Sequence, residues 1–153
     1  MINKILVYED CTGQVNSYQD AIKLAGKQFV KQKMVVPEYI NACVNREKDF
    51  PTGLAVKNNI GIAIPHGNEK FVKTSGVSFL RLVKPVNFGL MEDASKNVSC
   101  QFIFNLALFQ GKQQLKMLRK LMHLFRSDDF LTSIAVDKLD DIKTSLSQEL
   151  AFN

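Results

Sequence analysis

The run NVSCQFIFNLALF, residues 97–109, constrains the fold more than any other segment of the chain. It is almost continuously apolar, and it is far too short to span a bilayer as a helix. Such a run reads as a central strand buried on both faces, because a half-exposed strand would alternate apolar with polar residues. A strand of that kind needs a covering layer above and below it. The remaining segments therefore have to supply both neighbouring strands and amphipathic helices.

They do. INKILVY reads as a first strand, and NSYQDAIKLAGKQFVKQK as a helix in which Ser17 caps the start and Asp20 follows at near capping-box spacing. Ala21, Ile22, Ala25, Phe29 and Val30 form one apolar face of that helix. Pro37 opens a second helix, PEYINACVNREK, which stops before Asp49, Phe50 and Pro51. IGIAIP is a short strand, and SGVSFLRLVKPVNF a longer one broken at Pro85. GKQQLKMLRKLMHLF places Leu115, Leu118, Leu121, Met122 and Phe125 on one helical face. Asp128 or Asp129 caps a further turn, and KLDDIKTSLSQEL closes the chain as a helix. Strands and helices mix without strict alternation. The expected fold is a single-domain α/β sandwich over residues 1–153, with a mixed β-sheet flanked by helices.

At 153 residues, 46% hydrophobic and 23% charged, the chain has the composition of an ordinary globular domain. It shows neither a membrane-spanning stretch nor the layout of a signal peptide, so a cytoplasmic location is expected. The net charge of +5 admits an acidic partner. However, the lysines are scattered, no basic run is interleaved with aromatics, and no nucleic-acid motif appears, so no nucleic acid is expected to bind. A phosphorylated or acidic protein suits such a surface. Cys11, Cys43 and Cys100 form no CxxC pair and are odd in number, which points to free thiols. With only two histidines and no ligand spacing, neither a metal site nor a cofactor is expected.

One of those histidines, His66, stands in IAIPHGNEK, where a short strand runs out between Pro65 and Gly67. Neutral imidazole is a good nitrogen nucleophile at neutral pH if one ring nitrogen is exposed and the other is held. Pro65 stiffens the approach and Gly67 leaves room for a bulky group, so PHG suits a histidine that receives something from outside. From spacing alone, a partly exposed turn histidine is the commoner alternative. His123, inside LRKLMHLFR, reads as packing at the core edge.

NREKDFPTGLAVKNNIGIAIPHG resembles the signature of the type-2 enzyme IIA domains of the bacterial phosphoenolpyruvate-dependent sugar phosphotransferase system. Domains of the mannitol and fructose kind carry RE at a helix end, a TG loop, and then AIPHG or AVPHG. The likeness continues through SGVSFLRLVKPVNFG and VSCQFIFNLALFQGKQQLKMLRKLM and weakens only at the first 15 residues and the C-terminal helix. FPTG and QQLKMLRKL are most similar to the galactitol-type branch. The resemblance implies that His66 takes a phosphoryl group on Nε2 from the phosphohistidine of HPr. It then passes the group to a cysteine of a cognate enzyme IIB, and so to the sugar carried by the membrane enzyme IIC. It places the pocket arginine at Arg46, whose guanidinium is a permanent forked clamp for phosphate oxygens. Thr52 and Gly53 are expected to add hydroxyl and backbone N–H donors to the phosphate. Gln114 falls where the mannitol and fructose proteins have a second histidine, and it can donate only a neutral hydrogen bond.

Two other readings stand beside this one. KILVYEDCTGQVNS puts Cys11 just after a strand, similar to the phosphocysteine loop of an enzyme IIB or to a thiol phosphatase, although only one glycine is present and Val15 and Asn16 intervene. IIA-like domains also serve as regulatory phosphorylation sensors without a transport role. For the transfer reading, the histidine has to sit in a shallow depression reached by both partners, rimmed by apolar side chains from FPTGL, chiefly Phe50 and Leu54.

Overall fold

The long apolar run is the core of strand β5, Asp93–Ala107, in a computed structural model that describes residues 4–109 and 111–151. Its alternation separates two buried layers. Phe102, Phe104 and Leu106 point into one and Ile103 and Ala107 into the other, which Cys100 joins across the register shift opposite Arg81 and Val86. β5 runs antiparallel to β4, Gly76–Leu90, and β4 runs parallel to β1, Lys4–Asp10. On its other side β5 pairs in parallel with β3, Ile60–Ala63, which forms a hairpin with β2, Gly53–Val56. The result is a mixed five-stranded sheet.

Helices α1, Tyr18–Lys31, and α2, Glu38–Asp49, cover one face through Ala21, Ile22, Ala25, Phe29, Tyr39 and Cys43. Helices α3, Gly111–Leu124, α4, Asp128–Val136, and α5, Leu139–Glu149, cover the other. The fold is the expected α/β sandwich. None of the described helices is long and apolar enough to cross a membrane. Ser17 caps α1, accepting from the Asp20 backbone N–H, while the Asp20 carboxylate reaches back to the N–H of Asn16.

Four local readings change. The break at Pro85 is a register shift between Arg81 and Val86 inside one continuous β4. Val83, Lys84 and Pro85 face water there, so the N–H that proline lacks is not missed. β2 escaped notice because four residues, GLAV, carry no period. Its partner β3 and the turn between them, with Asn58 and Asn59 both at φ 61, define it. α4 is capped by Ser127, whose hydroxyl accepts from the Phe130 N–H, and Asp128 and Asp129 occupy the first turn, where the helix dipole favours acids. Finally, α3 buries Met117, Leu121, Leu124 and the following Phe125, whereas Leu115 is 51% and Met122 39% exposed. This helix carries two apolar stripes, and contact with the sheet selects the one through Met117.

β3 and β5 approach so closely at Gly61 that a Cβ there would lie 1.8 Å from the Ser99 carbonyl oxygen. Backbone cannot retreat like a side chain. Gly61→Ala is therefore expected to lower stability by about 1–3 kcal/mol, read as a lower urea midpoint with an unchanged slope. An unchanged midpoint would show that the two strands can separate at no cost.

Candidate functional site

β3 and β5 lie parallel, and the segment leaving β3 carries Pro65 and His66 along the carboxyl end of β5. The Pro65 carbonyl accepts from the Leu106 N–H at 2.9 Å and from Asn105 Nδ2 at 3.0 Å. His66 forms a single bridge to Leu106. Tyr39, buried in the first turn of α2, donates its hydroxyl hydrogen to the Leu106 carbonyl and so ties the helix to the same point. The chain around His66 is thus pinned before any ligand arrives.

His66 Nδ1 lies 3.0 Å from the Ile64 carbonyl oxygen. A carbonyl can only accept, so Nδ1 carries the proton and Nε2 keeps its lone pair. Burial, with the nearby Arg46 charge adding to it, holds the imidazole pKa below its ordinary value, against the opposing effect of the Ile64 bond. His66 is neutral at pH 7. It is 8% exposed, more enclosed than the shallow depression expected, and its exposed part opens into a cleft of about 560 Å³.

Arg46, Phe50 and Gln114 line that cleft with His66, joined by Asn45, Asp49, Asn68 and Glu69. Arg46 is exposed at the end of α2, and its guanidinium stands 5.3 Å from the centre of the Phe50 ring. Phe50 is 63% exposed and forms an apolar edge of the cleft. The arrangement brings together a neutral nitrogen nucleophile, a forked cation and an accessible mouth. That set can accept a phosphoryl group.

Other expected residues lie elsewhere. Thr52 is buried and does not line the cleft. Its N–H and hydroxyl both donate to the Glu47 carboxylate, at 2.6 and 2.8 Å, and its hydroxyl oxygen accepts from the Ile64 N–H. Gly53 sits inside the sheet, paired with Ala63 and Leu90. Neither has a donor to spare for a phosphate. Leu54 belongs to a separate groove with Met91 and Met122. Gly67 does line the cleft, but its missing side chain also leaves room for α2, since a Cβ would lie 3.1 Å from Cys43 Sγ. His123 is exposed rather than packed at the core edge. Cys11 is exposed away from the cleft, and Glu9, chiefly through a hydrogen bond, raises its pKa, so the thiol is not activated.

Glu47 and Asn105 went unassigned in the sequence, yet both leave a trace there. Tyr39, Cys43 and Glu47 recur every four residues, which puts a carboxylate on the buried stripe of α2. Asn105 interrupts the apolar run Phe102–Phe109. Burial raises the Glu47 pKa to about 7, against the lowering effect of the Thr52 bonds and the Arg46 charge. An unfolded glutamate ionises near pH 4.5. Between these values the folded state holds a proton that the unfolded state has lost, so this group's contribution to stability falls as pH rises from about 4.5 to 7. The unfolding free energy of the wild type, relative to Glu47→Gln, is expected to decline across that window by on the order of 2–3 kcal/mol. Urea titrations at several pH values measure it, and a flat difference would mean that the carboxyl is ionised throughout.

The family model "Phosphoenolpyruvate-dependent sugar phosphotransferase system, EIIA 2" matches residues 4–149. The mannitol-specific phosphotransferase enzyme IIA component of Enterococcus faecalis is 31% identical over 139 residues, covering 89% of this chain and 85% of that protein. The galactitol-specific EIIA component of Escherichia coli O6:H1 is 28% identical over 109 residues, 71% of each. Among solved structures, the complex of enzyme IIAMTL and phosphorylated enzyme IIBMTL from Escherichia coli aligns with a TM-score of 0.68 at 25% identity, covering 95% of this chain and 92% of that one. With the family model spanning nearly every residue of the sandwich and of the His66 cleft, the chain belongs to the type-2 EIIA family and is a phosphotransferase component of the sugar phosphotransferase system.

Proposed function

We propose that residues 1–153 work as one cytoplasmic IIA unit, in which His66 accepts a phosphoryl group from phospho-HPr and hands it to a cysteine of a cognate enzyme IIB. The observation that carries this is the commitment of Nδ1 to the Ile64 carbonyl, which leaves Nε2 as the free nucleophile in a cleft shared with Arg46. In the first step the Nε2 lone pair attacks phosphorus, the N–P bond to the HPr imidazole breaks, and that imidazole leaves with its electron pair. In the second, a thiolate of the IIB attacks, and the Nε2–P bond returns its electrons to the ring. Nδ1–H stays in place throughout, and no cofactor or metal enters. Arg46 meets the charge on the equatorial oxygens. Gln114 offers a neutral hydrogen bond, and Phe50 offers an apolar edge to whichever partner is docked.

The mannitol relative matches more of this chain than the galactitol relative does, at similar identity. We therefore assign the system the class those two substrates share, a six-carbon polyol. The galactitol-type branch is supported by FPTG and QQLKMLRKL and by a galactitol-specific relative no more similar than the mannitol-specific one. The sugar itself meets the membrane enzyme IIC, not this domain.

Incubation with phosphoenolpyruvate, enzyme I and HPr tests the reading. One acid-labile, base-stable phosphoryl group per chain is expected, discharged on addition of a cognate IIB. No adduct would end the transfer reading. An adduct that no IIB removes would favour the regulatory sensor.

A further inference from the structure

The Arg46–Glu47 pair is only half used by a clamp at Arg46. We propose that Glu47 is the positioning residue of the site, setting both the tautomer of His66 and the register of Arg46 against it through Thr52. This rests on the transfer reading for its kinetic consequence, but its geometry stands on hydrogen bonds alone.

The connection runs in short steps. Glu47 is 4% exposed, and in its ionised form, above about pH 7, its two carboxylate oxygens receive the Thr52 N–H at 2.6 Å and the Thr52 hydroxyl at 2.8 Å. Since the hydroxyl hydrogen is committed to the carboxylate, the oxygen turns a lone pair to the Ile64 N–H at 3.2 Å. The Ile64 N–H also meets the Thr52 carbonyl at 3.4 Å. Ile64 is thereby anchored on its amide side, and its carbonyl accepts His66 Nδ1–H at 3.0 Å. The Pro65 carbonyl is held from the opposite side by Asn105 and Leu106. Two anchors on consecutive residues leave the Ile64 carbonyl one direction to point.

The same carboxylate acts in the other direction. Glu47 is the neighbour of Arg46 on the last turns of α2, so its grip on Thr52 seats that end of the helix against the start of β2. Nucleophile and clamp come from different elements, and among the described contacts Thr52 is bonded to both: to Glu47 on the helix and to Ile64 on the strand. A surface glutamate would not be held this way, and a merely structural one would not need to reach the residue whose carbonyl fixes the imidazole.

Substitution separates these roles. In Glu47→Gln an amide N–H replaces one acceptor oxygen. The Thr52 oxygen can then receive from both the amide and Ile64, and its own hydrogen keeps only the longer contact, 3.1 Å, to the oxygen that already accepts the Thr52 N–H. Thr52→Val removes the hydroxyl altogether, while Thr52→Ser keeps it. Two readouts are compared: the ring 15N shifts of His66 in the unphosphorylated protein, and steady-state transfer from phospho-HPr. The wild type and Thr52→Ser are expected to show a single Nδ1–H tautomer. Thr52→Val and Glu47→Gln are expected to show mixed tautomers and a kcat lower by about tenfold to a hundredfold, with KM for phospho-HPr unchanged, because a misplaced nucleophile still docks. Should a single change unfold the protein, the double variant Glu47→Leu/Thr52→Val removes both partners together and carries the same expectation. A folded variant lacking the Thr52 hydroxyl or the Glu47 carboxylate, with wild-type tautomer and kcat, would overturn the proposal. A wild type that takes no phosphoryl group, while the variants still mix tautomers, would instead end the transfer reading and leave Glu47 as the residue that orients the ring.

Discussion

His66→Gln is expected to take no phosphoryl group from phospho-HPr, and Cys11→Ser is expected to be labelled like the wild type. Glutamine keeps a polar side chain of similar reach, so the fold should survive, but its amide nitrogen has no available lone pair with which to attack phosphorus. The Cys11 thiol, held protonated beside Glu9 and outside the cleft, cannot replace it. Intact-mass measurement after incubation with phosphoenolpyruvate, enzyme I and HPr decides the matter. A phosphoryl mass retained in His66→Gln, or lost in Cys11→Ser, would move the chemistry away from this histidine.

Arg46→Lys should slow transfer sharply in a protein that remains folded. Asp49 and Glu69 bring negative charge to the cleft, Gln114 is neutral, and His66 is uncharged at pH 7, so Arg46 is the cation among the residues that line it. Lysine preserves the charge but loses the planar fork and the seat on the Phe50 ring. A loss on the order of 2–4 kcal/mol of transition-state stabilisation is expected, equivalent to roughly thirtyfold to a thousandfold in kcat/KM. Rapid-quench transfer from phospho-HPr measures it. Wild-type rates in folded Arg46→Lys would show that Arg46 is a surface charge near a helix C-terminus and not a phosphate clamp.

How much of this was legible in the chain depends on where each signal resides. The nearly unbroken apolar run through Phe102, Ile103, Phe104 and Leu106 is a property of the strand itself, and it dictated a doubly covered sheet before any partner was known. The Ser17 cap involves residues three apart, and local chemistry suffices to read it. Pro65 and the scarce His66 at a strand end likewise marked the place of the candidate site, while the proposed roles of His66 and Arg46 came from resemblance to a family motif. Each of these depends on neighbours close in sequence or on a pattern already complete in one segment.

Other features depend on partners that the chain meets only when folded. α3 has two apolar stripes of similar strength, and the sheet beneath it chose Met117, Leu121 and Leu124 over Leu115 and Met122. β2 has too few residues for a period and exists because β3 is there to pair with it. Thr52 looked like a phosphate donor in a loop. Once Glu47 and Ile64 close on it, its hydrogen-bonding capacity is spent inside the protein. Side-chain chemistry and local period are set by the amino-acid sequence. Which donor meets which acceptor, and so whether a polar group faces a ligand or is consumed in the interior, is set by the packing of segments distant along the chain.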